Sequence, residues 1–221
     1  MKKAVVLLSG GLDSATILYL AKSKGYKTYC LVFDYGQRHR KEINQAKRIA
    51  EYAKSEHCLV KIALPWGGSS LLDKSKKIPT NRNIDHKEIP STYVPARNII
   101  FLSFSASYAE ALGAEAVFIG ANAVDYSGYP DCRPEFFDSY QDSLKKGMKQ
   151  GVEGKAVKIF TPLLNKTKAQ IIKIGVKLKV PYHMTWSCYK GGSRPCGECD
   201  SCVLRQKGFD AAGVVDAAIK K

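Results

Sequence analysis

The sequence predicts an α/β fold: a mainly parallel sheet with helices on both faces, followed by a C-terminal segment that four cysteines can close. Three observations predict it. Short apolar runs alternate with helical patterns along most of the chain, which is the rhythm of βαβ units. The first apolar run passes through two adjacent glycines directly into a helix. Four of the seven cysteines lie within the fifteen residues from 188 to 202.

The elements follow in order. Ala4-Val5-Val6-Leu7-Leu8 reads as a buried strand, and Ala15 to Ala21 as the helix after it. Thr28-Tyr29-Cys30-Leu31-Val32-Phe33 is a second strand, and the charged amphipathic stretch from Arg38 to about Lys54 a second helix. Cys58 to Ile62, Ala116 to Gly120 and Val157 to Phe160 are the third, fourth and fifth strands. From Pro65 to Thr92 the pattern breaks into polar and turn residues, which predicts a mobile cover over the site. A helix opens at Tyr93-Val94-Pro95-Ala96-Arg97-Asn98 and runs to Ala111. Thr167 is the predicted N-cap of another helix.

Between the first strand and helix stands Ser9-Gly10-Gly11-Leu12-Asp13-Ser14. Glycine lets the backbone approach a phosphate where a Cβ would collide. The first N–H groups of a helix lack partners within it and attract anions. Ser14 can reach a phosphate oxygen or a metal, whereas Asp13 needs Mg²⁺ or a basic group between itself and a phosphate. The turn lacks the Gly-Lys-Ser/Thr of a Walker A loop. It resembles the PP-loop of the ATP pyrophosphatases. That resemblance implies a Rossmann-like PP-loop fold, adenine nucleotide alpha hydrolase-like, and cleavage of ATP between its α and β phosphates.

Other charged residues stand where their helix would not place them for stability. Arg97 and Lys168 both sit in first turns, the wrong end of the dipole for a cation, so each is aimed at something anionic. Asp34 to His39 follows the second strand and lands on the same rim as the glycine turn. Gly120 to Pro134 packs rings, carboxylates and an arginine into one loop after the fourth strand, a mixture suited to a flat hydrogen-bonding heterocycle.

Cys188, Cys196, Cys199 and Cys202 can close a tetrahedral site. Zinc in a structural role is the favoured reading. The Cys-x-x-Cys-x-x-Cys run also suits an iron–sulfur cluster or a sulfur-carrying pair. Lys190, Arg194 and Arg205 are available to offset the thiolate charge. Cys30 and Cys58 fall in strands and read as core, and Cys132, on the loop, has no assigned role.

Length and composition bound the rest. The chain has 221 residues, 45% hydrophobic and 25% charged, which fits one globular domain over 1–221 with 185–210 as its zinc-binding subregion. The apolar run behind Met1-Lys2-Lys3 is too short for a signal peptide, and no stretch is long enough to span a membrane, so a cytoplasmic location is expected. A formal charge of +15 favours anionic partners such as ATP, an acidic substrate or RNA, although many of the lysines read as solvated helix faces.

Taken together, the PP-loop, Tyr35-Gly36-Gln37-Arg38-His39, Val94 to Asn98, the loop from Asn122 to Pro134 and Thr185-Trp186-Ser187-Cys188-Tyr189 with the other three cysteines resemble the 7-cyano-7-deazaguanine synthase family, nearly end to end. The resemblance implies ATP-dependent conversion of 7-carboxy-7-deazaguanine and ammonia into a nitrile through an adenylated acid and an adenylated amide, in queuosine biosynthesis. It implies ATP over Leu8, Ser9, Gly10, Gly11, Leu12, Asp13, Ser14, Ala15, Thr16, Ile17 and Leu18, with Mg²⁺. It places Zn²⁺ on Cys188, Cys196, Cys199 and Cys202, and it implies a homodimer. Asp13, Ser14, Arg97 and Lys168 become candidate catalytic residues, and Tyr93, Asn122, Asp125, Tyr126, Asp131 and Arg133 candidates for substrate binding. With no glutaminase domain visible, ammonia is expected to arrive free, and nucleic acid is not required. The rivals are a tRNA-thiolating PP-loop enzyme and a zinc-stabilised nucleotide-binding module. Against the first, the opening strand at Ala4 leaves no room for an N-terminal RNA-binding module.

Overall fold

A computed structural model describes residues 1–80, 89–122 and 129–219. The elements run β1 (Lys3–Leu7), α1 (Leu12–Ser23), β2 (Lys27–Asp34), α2 (Lys41–Tyr52), β3 (Glu56–Lys61), α3 (Arg97–Leu112), β4 (Ala116–Phe118), α4 (Pro134–Gly147), the single turn α5 (Lys149–Val152), β5 (Lys158–Phe160), α6 (Lys168–Lys177) and α7 (Asp200–Ala212). The five strands form one sheet in the order β3-β2-β1-β4-β5, every pair parallel. Each expected strand is present within one or two residues of its bounds.

Strand side chains alternate between faces, so β1 feeds two cores. Ala4, Val6 and Leu8 enter a layer with Ile17 of α1, Ile43 of α2, Ile171 of α6 and Phe209 of α7. Val5 and Leu7 enter the opposite layer with Leu102 of α3 and Phe137 of α4. Burial on both faces is why the β1 sequence is continuously apolar rather than alternating. A smaller third cluster gathers Ile78, Trp186, Cys188, Cys199 and Cys202.

The strand order reverses between β1 and β4. In an open parallel sheet the crevice beyond the C-terminal strand ends at such a reversal is where ligands bind. Here it is bounded by the glycine turn after β1 and by Ile119 to Asn122 after β4.

The segment after Pro65 departs from the expected featureless cover. Ser69 and Ser70 are wholly buried, and Leu71 lines the crevice. Arg38 donates to the carbonyls of Asp73 and Lys76. Ile78 packs on the cysteine cluster, and Thr80 bridges to Cys199. Its described part is therefore wall, held by contacts distant in sequence that no local pattern reveals. Residues 81–88 lie outside the described part. Among the described residues no helix is long and apolar enough to cross a membrane.

Candidate active site

The crevice is a cavity lined by apolar side chains and by a set of charged and polar ones. Around its rim stand Ser9, Gly11, Asp13, Ser14, Glu42, Arg97, Asn122 and Lys168. Below them lie Leu7, Leu31, Phe33, Leu71, Phe101 and Ile119.

The glycine turn forms one wall. Gly10 adopts φ +84°, and a Cβ there would sit 2.3 Å from the Glu42 carbonyl oxygen and 2.8 Å from the Ala46 nitrogen. Gly10 is thus glycine because α2 packs directly on the turn, a different reason from phosphate approach. Gly11 is the one whose Cβ would meet nothing closer than 3.5 Å. It is the N-cap of α1 and supplies no side chain to the helix end. The Ser14 hydroxyl donates to the Gly11 carbonyl (3.1 Å) and accepts from the Ser9 N–H (3.2 Å) and the Ser9 hydroxyl (3.1 Å). These bonds hold the turn's shape without capping the helix, so its first N–H groups carry no side-chain cap beside the cavity.

Lys168 answers the question Asp13 raised. Its ammonium lies 2.8 Å and 3.0 Å from the two Asp13 oxygens. Thr167 caps α6 as expected: its hydroxyl accepts from the Gln170 N–H at 3.3 Å, while the Gln170 side chain accepts from the Thr167 N–H at 2.9 Å. The Lys168 stem crosses Gly208 of α7, where a Cβ would stand 2.3 Å from Lys168 Cγ. Two helices thus aim one cation at the start of a third.

Arg97 enters from the other side. Ala96, just before it, adopts the left-handed φ 53°, ψ 23°, which costs a non-glycine residue about 1–2 kcal/mol. The Tyr93 hydroxyl accepts from the Ala96 N–H at 3.1 Å and supports that conformation. Burial opposes the Arg97 charge, but Tyr35, Tyr129 and Asp131 more than compensate and hold it above the ordinary arginine range.

The remaining candidates divide. Asn122 lines the cavity and donates to the Lys166 carbonyl at 2.6 Å. Asp131 does not line the cavity; its carboxylate accepts from the Asn98 N–H at 3.0 Å, at the start of α3. Arg133 is exposed at the N-cap of α4. Tyr93 packs on Tyr129 with ring centroids 5.8 Å apart. Asp125 and Tyr126 lie outside the described residues. Of the proposed nucleotide stretch, Leu8, Ser9, Gly11, Leu12, Asp13 and Ser14 line the cavity. Ala15, Ile17 and Leu18 are core, and Thr16 is buried, donating to the Leu12 carbonyl at 2.9 Å. Cys132 lines the cavity, yet burial pushes its thiol up to about 12, so it is not a ready nucleophile.

Sequence reasoning missed Glu42. It reads as an ordinary acidic residue in a helix's first turn, but it lines the cavity, and burial pushes its carboxyl up to about 7 against the opposing charge of Arg97.

The cysteine segment adjoins this site. The four Sγ atoms lie within 4.8 Å of one another, close to the ~3.8 Å spacing that four Zn–S bonds of ~2.3 Å would give. The backbone supports the sulfurs: the Cys196 N–H donates to Cys188 Sγ (3.4 Å), and the Glu198 and Cys199 N–H groups donate to Cys196 Sγ (3.5 and 3.4 Å). Hydrogen bonds from Cys199 and Cys202 hold the Cys188 thiol low. This donor set fits a metal ion. The expected cationic offset is only partly available. Arg205 is buried and bound in two-point fashion to Asp216 at 2.5 and 2.9 Å, and Lys190 pairs with Glu198 at 2.9 Å.

Trp186 joins the two regions. Its backbone N–H donates to the Gly10 carbonyl at 2.9 Å, and its indole N–H donates to the Cys188 carbonyl at 2.9 Å. Lys41 of α2 lies 3.8 Å over its ring and donates to the carbonyls of Gly192 and Ser193.

The parallel sheet, the uncapped glycine turn and the Asp13–Lys168 pair define a PP-loop α/β protein, a class that uses ATP. Within that class the chain belongs to a known family: the model for queuosine biosynthesis protein QueC matches residues 3–213. It is 57% identical over 217 residues to a 7-cyano-7-deazaguanine synthase of Acetivibrio thermocellus, covering 98% of this chain and 96% of that one. It is 54% identical to another of that name from Thermoplasma volcanium, covering 97% and 89%. The crystal structure of a predicted subunit of tRNA methyltransferase from Methanocaldococcus jannaschii has the same fold, with a TM-score of 0.50 at 15% identity over 80% of this chain and 75% of that one.

Proposed function

We propose that this protein is a 7-cyano-7-deazaguanine synthase, converting 7-carboxy-7-deazaguanine, ammonia and ATP into the nitrile. The observation that carries the reading is the near full-length identity to relatives of that name, combined with a cavity whose residues suit the chemistry.

A carboxylate cannot expel oxide, so its oxygen must first become a leaving group. Transfer of AMP from ATP does this, with pyrophosphate departing toward the glycine turn. The α1 N–H groups, Ser9 and Ser14 bind the phosphates; Lys168 and Arg97 stabilise the charge that develops. Mg²⁺, held by Asp13 and Ser14, would neutralise phosphate charge. Ammonia then displaces AMP to give the amide. A second adenylation, now on the amide oxygen, permits elimination to the nitrile. One activation serves both halves, so one site suffices. Catalysis rests on positioning and electrostatics, with no covalent enzyme intermediate.

Asn122 and the 123–128 stretch, including Asp125 and Tyr126, recognise the deazaguanine. Asp131 supports recognition indirectly, through Asn98 and Arg97, and Arg133 does so from its exposed position at the start of α4. The four cysteines hold zinc, which takes no part in the reaction because four protein ligands leave no open position. The reading includes a homodimer in the cytoplasm.

Mass spectrometry tests the reading. Protein incubated with 7-carboxy-7-deazaguanine, ATP, magnesium and ammonium should yield first the amide mass and then the nitrile mass, with AMP released at each stage. An unchanged acid refutes it.

A further inference from the structure

The cavity holds two carboxylates among the described residues, Asp13 and Glu42. Asp13 pairs with Lys168 through both oxygens and is assigned above to the phosphates and their metal. The Glu42 carboxylate has no hydrogen bond or ion pair within 4 Å among the described residues, although it is half-buried in a cavity that Arg97 and Lys168 also line. Leaving a carboxylate so placed without a partner costs about 1–3 kcal/mol or more. A ligand group with protons to share would relieve that cost.

Its position narrows the ligand. The Glu42 backbone carbonyl abuts Gly10, the packing that forbids a Cβ there. Its side chain shares the cavity with Arg97, whose charge it senses. It therefore shares one cavity with the uncapped start of α1 and with the Arg97 side chain. The substrate oxygen being adenylated must lie beside the α-phosphate, so the carbon that bears it lies in the same cavity.

We infer that the Glu42 carboxylate accepts the nitrogen protons released as ammonia is built into the substrate, an inference that rests on the function proposed above. In the first half, an ammonium ion gives one proton to Glu42. The freed lone pair forms the C–N bond, the C–O bond to AMP breaks, and AMP leaves with that electron pair. The nitrogen then loses a second proton to water, giving the neutral amide. Glu42 returns its proton to water between halves. In the second half, adenylation on oxygen leaves a nitrogen with two protons; one is lost to water, and the neutral adenylated amide then carries one N–H. That proton passes to Glu42, the N–H electron pair becomes the third C–N bond, and AMP again departs with the C–O pair. A carboxyl poised near neutrality suits both steps.

His39, the other candidate base in the cavity, packs edge-on to Trp186 and against Gly191. It belongs to the wall that joins the cysteine segment to α2.

The two stages of the reaction separate the inference from its alternatives. Adenylation of the acid needs no nitrogen, so acid-dependent exchange of labelled pyrophosphate into ATP, without ammonium, reads that stage alone. Glu42→Gln should keep exchange within ~3-fold of the parent while amide and nitrile formation fall ~10²–10⁴-fold. Glu42→Asp keeps the charge with a shorter reach and should lose ~10-fold or more in amide formation, again with exchange preserved. Parallel loss of exchange and amide formation in both variants overturns the inference, because Glu42 would then serve binding or folding. Undiminished amide formation overturns it too. Absence of exchange in the parent protein would instead overturn the proposed substrate, and the inference with it.

Discussion

The starts of α1 and α7 use backbone N–H groups in opposite ways. At α1 the N-cap is Gly11, no side chain caps the helix, and the end borders a cavity with Lys168 and Arg97 around it. Ahead of α7, the N–H groups of Cys196, Glu198 and Cys199 already point at sulfur. The nearby cations are paired at both ends, Lys168 with Asp13 beside the cavity and Lys190 and Arg205 with Glu198 and Asp216, so it is the backbone donors that differ. A site for a ligand that enters and leaves keeps its donors uncommitted. A site for a resident ion spends them on the ligands that hold it. On the proposed function, the cysteine segment contributes stability and shape, whereas the glycine turn contributes binding and chemistry.

That contrast can be broken most forcefully at the metal. Chelation, or Cys199→Ser, should remove more than ~5 kcal/mol of folding energy, because binding energy at a structural site is folding energy. Differential scanning calorimetry should show a fall in Tm of ~10–20 °C at ~2–4 °C per kcal/mol. An unaltered Tm would mean that the sulfurs need no ion. Asp216→Ala comes next. It strands the buried Arg205 and should cost about 3–5 kcal/mol by urea titration, while ATP affinity in the folded fraction holds.

Lys168→Met attacks the other side of the comparison. It should lower the rate of AMP formation ~10²–10³-fold, since a preoriented cation at a developing charge is lost. If the rate holds and only Tm falls, Lys168 is merely Asp13's structural partner. The finest distinction lies between two glycines. Gly10→Ala meets both left-handed strain and backbone at 2.3 Å and should cost ~2–4 kcal/mol. Gly197, at φ +76°, has nothing within 4 Å of its Cβ direction, so Gly197→Ala should cost only about 1 kcal/mol. Equal costs, read from paired melts, would deny that the turn is the more tightly braced of the two.

The sheet was legible because each of its strands is a short apolar run, and β1, β2 and β4 are buried almost throughout. Boundaries slipped where a strand begins on polar residues: β3 opens with Glu56 and His57, which carry no apolar signal. The glycine turn and the cysteine spacing were legible because both are local. Lys168 was legible because it violates the helix-dipole preference, and its partner proved to be Asp13, 155 positions away. Glu42 was hidden for the converse reason: an acidic residue in a first turn obeys that preference and raises no question. Arg205 stands close to the cysteines in sequence, but its charge went to Asp216, a pairing set by the packing of the chain's end. The packing of Ser69 to Ile78 was illegible because its partners, Arg38, the cavity floor and the cysteine cluster, come from three distant segments.

The bond from the Trp186 backbone N–H to the Gly10 carbonyl has a consequence for biosynthesis. The ribosome releases Gly10 well before Trp186, whose backbone N–H closes the bond. A nascent chain can assemble β1, β2 and β3 early, since domains organise as the polypeptide emerges, but the glycine turn stays unbuttressed until Trp186 has emerged. On the proposed function, affinity for ATP is acquired only after that point, and products truncated before Trp186 are poor competitors for the cell's nucleotide pool.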